Sequence, residues 1–493
     1  MKYKLKINLL ASWGHHAVNI LIGLVLMPFV LNTVGDSNYG LWLFICSIAG
    51  YSGLMNLGFG NTICRFVAHH YAKGEMDDVN RVVNVVAGIY LVMSSVLAGA
   101  AGILAWMAPY LYDWGDTPIA DVRLVICLLG LNVIIGMLGS VFGGVIIGLQ
   151  RIDLERGFQT LSGIGRLALT LVLLQKEHAL VTLAVIFLLT TLIENVGYVT
   201  VVFRQLPGLR IHWRFLDLPT AKKCFGFSVY SLLDFFAYKL IEATDTVVIG
   251  FVFGTSYIVP YYVAHRLMTF IVEPLQMVGG VLMPRGAELG AHNHDQRLRM
   301  LVQKGLGVAF LLTAGITIGA WFFGDLVVQA WLGKTYEETH LLLVVLLTAQ
   351  ILATPMRVLR GVLFGMGKVE VPAVLYFIEA LANIGLTLIL IKPFGLLGVA
   401  LGTAIPVFVV ELFAFLPYAL KQLNFPIKQF ALQILVPQLP ALAALWLYSQ
   451  AVSSRWTVSP AWLPVLLVSG GGGVVLCLTW LASRRASRHW QAA

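Results

Sequence analysis

Ten ionisable side chains lie inside long apolar stretches of this sequence, where a charge is energetically costly. They are Arg166, Glu194, Asp234, Lys239, Glu242, Asp245, Arg266, Glu273, Glu379 and Glu411. Charged groups in such surroundings normally face a water-filled cavity or a partner of opposite charge. The chemistry that they could carry is therefore anion binding, ion pairing, or the uptake and release of a proton.

One predicted helix, residues 223–253, carries four of these ten side chains. At 100° per residue, Asp234, Tyr238, Glu242 and Asp245 fall within an arc of about 80°. One face of this helix is thus polar. We expect that face to lie against water or other helices rather than lipid.

The same helix could pair its charges with those of the next one. The chain turns near Thr255, with Asp245 ten residues before that point and Arg266 eleven residues after it. Lys239 and Glu273 lie sixteen residues before and eighteen after. In antiparallel helices each pair would lie at similar depth. Two interpretations stay open: ion pairs that lock the two helices together, and a gate or proton-responsive cluster, because neighbouring carboxylates raise each other's pKa.

Arg166 has no evident partner in the sequence, since Glu194 on the adjoining helix falls at a different depth. A guanidinium binds pyrophosphate or an acidic sugar through two parallel hydrogen bonds. Arg166 is therefore a candidate for a cavity cation that attracts anionic cargo, and a backbone carbonyl or a glutamate partner is the alternative. In the first helix, His16 and Asn19 share a face and are candidates for a cavity wall or for a polar packing stripe.

The elements that hold these residues are predicted to be membrane-spanning helices. Apolar residues make up 59% of the 493 residues and charged residues 12%, whereas a soluble domain has about 25% charged residues. Apolar stretches of about 20 residues, long enough to cross a bilayer as helices, recur from end to end. The 48 glycines fit helices that approach closely. No ligand spacing for a metal or a cofactor is found, and the five cysteines form no CxxC motif.

The sequence predicts an all-α polytopic membrane protein with fourteen helices. Their ranges are 9–33, 38–60, 80–108, 122–148, 157–174, 178–203, 223–253, 257–284, 300–330, 339–366, 370–391, 394–420, 428–450 and 460–482. With a cytoplasmic N-terminus, 25 of the 33 Lys and Arg residues fall on the cytoplasmic side, 5 on the far side and 3 at membrane depth. This asymmetry predicts that both termini are cytoplasmic. Because the basic residues are spread over alternate loops, the net charge of +9 does not indicate nucleic-acid binding.

The chain also repeats itself. Residues 144–153 match residues 361–370 in chemical type at nine of ten positions, at an offset of 217. Two parallel six-helix lobes, residues 1–210 and 211–425, are therefore predicted, followed by two further helices in residues 426–493. Transporters built from duplicated halves hold their substrate between the halves.

Four residues occupy equivalent repeat positions. Glu194 and Glu411 are related by the offset of 217, which predicts the same helix-packing contact made twice. Arg65 and Arg285, related by an offset of 220, fall at the cytoplasmic ends of the second and eighth helices. These arginines could hold lipid phosphate at an entrance, or they are ordinary interfacial arginines.

Several motifs carry a family resemblance. The first two helices contain Leu26-Met-Pro28, Tyr39-Gly-Leu-Trp42 and Asn56-Leu-Gly-Phe-Gly60, and the seventh contains Asp245-Thr-Val-Val-Ile-Gly250. These segments resemble the Wzx-type oligosaccharide flippases of the multidrug/oligosaccharidyl-lipid/polysaccharide exporter superfamily. The resemblance covers the whole chain in layout, and its motifs are mostly glycine and apolar residues.

The resemblance implies a pair of lobes around a central hydrophilic cavity in the inner (cytoplasmic) membrane. Its cargo would be an undecaprenyl-pyrophosphate-linked oligosaccharide, moved for cell-surface polysaccharide synthesis such as that of O-antigen and lipopolysaccharide. H⁺ or Na⁺ and a glycan polymerase or assembly complex are the further partners to be expected. In lipid II flippases of the same superfamily, an extra helix pair forms a lipid groove, which is the role to test for residues 426–493.

Two other functions stay open. A cation-coupled multidrug-type antiporter shares the duplicated six-helix plan and would use the same carboxylates. A membrane glycosyltransferase or polymerase would need an acidic catalytic pair or a long far-side loop, and the far-side segments here are short. We therefore expect a transporter rather than an enzyme.

Overall fold

The computed structural model describes residues 2–52, 59–291, 295–455 and 461–492. Helices and turns make up this described part, with no β-strand in it. The helices are α1 (Lys2–Tyr51), α2 (Phe59–Lys73), α3 (Met76–Leu111), α4 (Ile119–Gly148), α5 (Ile152–Leu173), α6 (Ala179–Gln205), α7 (Leu218–Phe253), α8 (Ile258–Ala291), α9 (Asp295–Leu332), α10 (Thr339–Gly365), α11 (Glu370–Val409), α12 (Leu416–Gln422), α13 (Ile427–Phe430), α14 (Leu439–Arg455) and α15 (Trp462–Ala492).

The helices are long and apolar enough to make this a multi-pass membrane protein. Among the described residues, nine helical stretches meet the length and hydropathy of a membrane span. Two of them, Leu10–Tyr51 and Glu370–Gln422, contain 42 and 53 residues. At 1.5 Å per residue these stretches would measure about 60 and 80 Å, twice or more the thickness of a bilayer core. Each therefore supplies two passes. With α5, α7 and α8, which carry intramembrane charges, the count reaches the predicted fourteen, and the all-α polytopic fold is confirmed.

A glycine divides each of these two long stretches. Gly35 has φ 81° and Gly395 has φ 62°, and neither continues a right-handed helix. At Gly395 the chain folds back on itself. Gly398 consequently lies so close to the preceding helical segment that a Cβ atom placed on it would overlap the backbone carbonyl of Leu390. A Cβ atom on Gly402 would likewise meet the backbone of the preceding helical segment. The predicted pair 370–391 and 394–420 is thus joined by a turn of almost no length.

The chain forms two compact units, residues Met1–Ile258 and Val259–Ala493. Helix α7 belongs to the first unit, where it packs on α1, α2 and α3. The repeat in the sequence instead places this helix at the start of the second lobe. The predicted boundaries at residues 210 and 425 stay a prediction.

Glycines of α4 let two neighbouring helices approach closely in the first unit. A Cβ atom on Gly144 would lie 3.1 Å from the Ile63 side chain, and one on Gly148 would lie 3.0 Å from the backbone carbonyl of Cys64. Gly139 in turn faces Asn195 of α6. These contacts fit small residues that replace a hydrophobic driving force between helices in lipid.

Two buried asparagines of α3 bind the segment that leads out of α6. Asn80 donates to the carbonyl of Gly208 at 3.1 Å and accepts from the amide of Arg210 at 2.8 Å. Asn84 donates to the carbonyl of Arg210 at 2.7 Å and accepts from the amide of His212 at 2.8 Å. The side-chain amides thus pair with an extended backbone as a neighbouring strand would. This satisfies backbone groups that no helix can satisfy.

The second unit has two apolar clusters. One joins α9, α10 and α12 around Leu306, Leu359 and Phe415. The other joins α9, α14 and α15 around Ala314, Leu445 and Leu476. Helix α9 contributes to both clusters, so it links the C-terminal helices to the remainder of this unit.

Candidate functional site

Arg166 of α5 lies against an aromatic wall of the first unit. Its guanidinium carbon is 4.0 Å from the centroid of the Phe187 ring, a cation–π contact. The Phe187 ring in turn meets Trp42 edge-on at 5.2 Å. The Nε of Arg166 donates to the Thr190 hydroxyl at 3.4 Å. Among the described residues, no other hydrogen-bond acceptor is found for this guanidinium. The half-buried cation is therefore held in place by stacking, with donors left for an anion.

Glu194 interacts electrostatically with Arg166, although the sequence predicts different depths for the two residues. Glu194 accepts a hydrogen bond from the hydroxyl of Tyr198 at 2.9 Å. The carboxylate thus has a neutral donor one turn away and a cation nearby. It lowers the net positive charge around Arg166 without a direct ion pair between the two.

The histidines of α1 lie differently from one another. His15 exchanges a hydrogen bond with the Thr160 hydroxyl of α5 at 2.9 Å, and α1 packs along α5. His16 is buried and Asn19 is exposed. The proposed cavity wall of His16 and Asn19 therefore has one buried and one accessible member, and its role stays a prediction.

Charged residues of α7 form one local pair. Lys239 Nζ lies 2.8 Å from Glu242, one turn further along the helix, and Glu242 is exposed. Asp245 is buried beside Thr244, whose hydroxyl exchanges a 2.7 Å hydrogen bond with Tyr51. The Asp234 side chain lies outside the described set.

Both ion pairs predicted across the α7–α8 turn join a residue of the first unit to one of the second, so they stay predictions. Arg266 stacks on Phe270, with 4.6 Å from its guanidinium carbon to the ring centroid. Glu273 is half-buried. Of the two arginines proposed at the lipid entrance, Arg65 is exposed on α2, and the Arg285 side chain lies outside the described residues.

A buried charged group in the second unit was not recognised in the sequence. Arg360 of α10 lies 2.7 Å from Glu411, and the exposed fractions of the two side chains are 8% and 2%. Glu379 of α11 is also buried and interacts electrostatically with both residues. The sequence marks both glutamates as intramembrane charges, but the distribution of basic residues assigns Arg360 to the cytoplasmic side. The repeat offset of 217 would have revealed it, because Arg360 falls on Gly143 of the first repeat.

The second unit also contains an apolar groove of about 370 Å³. Helices α8, α9, α10, α14 and α15 line it, with three glycines of α9 and two of α15 among the lining residues. A Cβ atom on Gly319 would meet nothing within 4 Å, so this glycine opens directly onto the groove. In the same wall, the Tyr448 hydroxyl donates to the carbonyl of Val468 at 3.1 Å.

One exposed turn brings together groups that could hold a metal ion: His70, Glu75 and Asp78, whose ligand atoms lie within 4.8 Å of one another. His70 Nδ1 is 2.6 Å from Glu75, and Arg81 donates to Asp78 at 3.0 Å. The hydrogen bond with His70 holds the pKa of Glu75 below its usual value. These contacts describe an ion-pair network between α2 and α3, and we assign it no metal.

Comparison with known proteins places the chain in a family. A family model described as "Polysaccharide biosynthesis protein" matches residues 40–341, more than half of the 493 residues. The chain belongs to the polysaccharide biosynthesis protein family. This membership confirms the family predicted from the motifs of the first and seventh helices.

Two curated relatives of this family member carry transport descriptions. The chain is 22% identical over 185 residues to "Probable low-salt glycan biosynthesis flippase Agl15" of Haloferax volcanii, a match that covers 38% of the chain and 39% of that relative. It is 19% identical over 398 residues to the "Putative O-antigen transporter" of Shigella flexneri, covering 80% of the chain and 92% of that protein.

Solved structures share the fold of this family member. The lipid II flippase MurJ in an inward closed conformation aligns with a TM-score of 0.74 and 14% identity, over 99% of both chains. An inward-facing multidrug resistance MATE transporter of the MOP superfamily aligns with a TM-score of 0.71 and 13% identity, over 85% of this chain and 97% of that one. At this level of identity, these two structures show that the chain shares their fold.

Proposed function

We propose that this family member is a flippase that moves a lipid-linked oligosaccharide across the cytoplasmic membrane for cell-surface polysaccharide synthesis. The apolar groove of the second unit is the observation that carries the proposal. A polysaccharide precursor of this kind has a sugar headgroup and a long polyprenyl tail, and a transporter needs an apolar surface for the tail while the headgroup crosses. An antiporter of soluble molecules has no such need.

The size and lining of the groove suit a hydrocarbon chain. At about 30 Å³ for each methylene-sized group, 370 Å³ holds on the order of ten carbon atoms. That is a segment of a polyprenyl tail, with the remainder in the bilayer. The glycines of α9 and α15 expose backbone and remove side chains where the tail would lie, and the extra helices α14 and α15 supply much of the wall.

Arg166 would hold the anionic end of the cargo. Its stacking on Phe187 fixes the plane of the guanidinium, so that its free donors can bind pyrophosphate or an acidic sugar. His16, Asn19 and the charged face of α7 are proposed as further parts of the polar lining. Arg65 and Arg285 are proposed as phosphate contacts at the cytoplasmic entrance.

The orientation and partners follow from the same proposal. Both termini are placed in the cytoplasm, as the distribution of Lys and Arg predicts. The two lobes would expose the cargo site alternately to either leaflet. H⁺ or Na⁺ is proposed as the coupling ion, and a glycan polymerase or assembly complex as the partner that receives the product.

A multidrug-type antiporter is the second candidate, supported by the MATE alignment. That alignment covers 85% of this chain, against 99% for the MurJ structure, and this difference favours the flippase. Catalysis by a glycosyltransferase or polymerase is not proposed, because the described relatives are a flippase and a transporter.

The test is leaflet transfer of a fluorescent polyprenyl-pyrophosphate-linked oligosaccharide in proteoliposomes. Gly319→Leu fills the groove and is expected to slow transfer at least ten-fold. Gly102→Leu, at an equally open glycine of α3 away from the groove, is the control and is expected to leave transfer unchanged. Transfer by the Gly319→Leu variant at the wild-type rate would contradict the role of the groove.

Arg166 separates the two candidate functions. Arg166→Ala is expected to abolish transfer of the pyrophosphate-linked cargo, and Arg166→Lys to retain part of it, because lysine keeps the charge but not the fork of donors. Full transfer by the alanine variant would remove Arg166 from the substrate site. Efflux of organic cations by the wild type, without transfer of the lipid-linked glycan, would favour the antiporter.

A further inference from the structure

The Arg360–Glu411 pair is rigidly held inside the second unit. The guanidinium carbon of Arg360 lies 4.8 Å from the ring centroid of Tyr376 and 4.9 Å from that of Phe415. Its terminal nitrogen donates to Glu411 Oε1 at 2.7 Å. Helix α9 and the segment after α13 add apolar side chains around this group. A charge pair in such surroundings is weakly screened, so any further charge placed beside it has a large effect.

A second carboxyl group lies beside this pair. Glu379 is 3% exposed, and its carboxyl group interacts electrostatically with that of Glu411. Arg360 pairs with Glu411, so an ionised Glu379 would be a second buried carboxylate beside the first, which is costly. A proton shared by the two carboxyl groups removes this cost. Each glutamate also keeps one buried oxygen, Oε2, without a hydrogen-bond partner among the described residues.

Arg357 is the other charged group that acts on both carboxyl groups, and it is half-buried one turn before Arg360 on α10. With both arginines charged, loss of the proton takes the group from one net positive charge to neutrality. Since the two guanidinium groups stabilise the second carboxylate, both protonation states can exist in the folded protein. A site that holds a proton reversibly needs this property.

In the first unit, Glu194, the equivalent of Glu411, is held by a neutral donor and not by a direct ion pair. Glu194 there accepts a hydrogen bond from the Tyr198 hydroxyl at 2.9 Å. Gly143 makes room for that ring, since a Cβ atom at this position would lie 3.6 Å from it. A neutral donor thus satisfies Glu194, and a glycine of α4 makes room for it. The other buried carboxylate of this region, Glu155 of α5, pairs with Arg156 at 3.2 Å.

At the offset of 217, the second unit has replaced each neutral element of that arrangement. Arg360 stands where the first repeat has glycine, Phe415 where it has tyrosine, and Glu379 falls on Ser162. Glu411 and Phe415 also lie in a π-helical segment, Val410–Phe415, and segments of this kind occur frequently at functional sites. Glu379 therefore has no acidic counterpart at the matching position of the first repeat.

A line of polar groups leads away from the pair along α11. Asn383 and Thr387 follow Glu379 at intervals of four residues, on the same face of the helix and over about 12 Å. Asn383 donates to the Thr403 hydroxyl at 2.8 Å. Asn383 Oδ1 and Thr387 Oγ1 are buried, with no partner among the described residues. These two oxygen atoms can bind water molecules, which would pass a proton along α11 towards the break in the helix at Gly395.

We propose that Glu379 and Glu411, together with Arg360, form a proton-binding site in the second unit. The step is the dissociation of the carboxylic O–H bond of the pair, with the proton passing to water and a second carboxylate left behind. Resting on the proposed flippase function, this site couples proton movement to transport. The charged face of α7 is then not required as the proton site.

The first experiment needs no cargo. Infrared difference spectra of the reconstituted protein between acidic and alkaline buffer detect the carbonyl stretch of a buried carboxylic acid. This band is expected in the wild type, lost in Glu379→Gln and retained in Glu370→Gln, an exposed carboxylate in the first turn of α11. Glu379→Asp, which keeps a titratable group, is expected to shift the band. An absent wild-type band, or one that both Glu379 variants leave unchanged, overturns the proposal.

The second experiment measures coupling. An imposed pH gradient is expected to accelerate transfer of the fluorescent lipid-linked oligosaccharide by the wild type and by Glu370→Gln, but not by Glu379→Gln. If the wild type transfers the cargo at a rate that the pH gradient does not change, proton coupling is refuted and the flippase function is retained. If the infrared band is present and no cargo is transferred, the proton site stands and the flippase function falls.

Discussion

The exchange of neutral and charged elements between the repeats can be tested by reversing it. Arg360→Gly leaves Glu411 buried without its cation, which is expected to destabilise the protein by about 3–5 kcal/mol. Adding Phe415→Tyr restores the arrangement by which Tyr198 satisfies Glu194 in the first unit. The new hydroxyl occupies space left by the guanidinium, and its hydrogen bond to a charged group is expected to return about 1.5–3 kcal/mol.

The assay is the free energy of unfolding, measured by denaturation with sodium dodecyl sulfate in mixed micelles. Phe415→Tyr alone is the control, and because the arginine still fills the site, the added hydroxyl is expected to cost about 1–3 kcal/mol. The two single changes should therefore be strongly non-additive, with the double variant more stable than Arg360→Gly. A double variant as unstable as the sum of the two single changes would refute the equivalence of the two sites.

Three further predictions concern the contacts of the first unit. Asn84→Leu removes two hydrogen bonds from the segment after α6, each worth about 1 kcal/mol. The rate of tryptic cleavage after Arg210 is therefore expected to rise roughly ten-fold or more. An unchanged rate would mean that these hydrogen bonds do not hold the segment in place. Gly148→Leu forces α4 away from α2 and is expected to lower the free energy of unfolding by about 1–3 kcal/mol, and equal stability would contradict the close approach. The hydrogen bond to Asp121 raises the pKa of His178 at the start of α6, so its contribution to stability is full below the ordinary pKa of about 6.5 and is lost as pH rises through the raised value. The difference in thermal stability between wild type and His178→Ala should therefore shrink with rising pH, and a constant difference would contradict the assignment.

The membrane fold could be predicted because its main signals are local. Apolar stretches of span length, and basic residues on alternate sides, are each read from a few neighbouring residues. The predicted helix 178–203, for example, corresponds to α6 at Ala179–Gln205. The predicted helix 428–450 is in fact α13 and α14 joined by π and 3₁₀ turns. Such changes of helix type depend on hydrogen bonds that composition does not reveal.

The candidate sites were predicted only in part, because side-chain partners depend on helix rotation. Arg166 was selected as an intramembrane charge, but its stacking on Phe187 requires the facing surfaces of α5 and α6. The equivalence of Glu194 and Glu411 predicted one contact made twice, and this is wrong: a tyrosine hydroxyl satisfies the first and Arg360 the second. The residue type at one matching position indicates this difference, since the first repeat has Gly143 where the second has Arg360.

The fold-back at Gly395 limits where this protein can be labelled. The backbone of Gly398 touches that of Leu390, so a peptide inserted at this turn would have to separate two helices that meet without a connecting loop. Residues 115–118, between α3 and α4, lie outside both helices and beyond the Tyr112 and Trp114 contacts, so we expect them to accept an epitope. Sidedness mapping with inserted tags should use that segment, since an inactive fusion at Gly395 would report disrupted helices and not the side of the membrane.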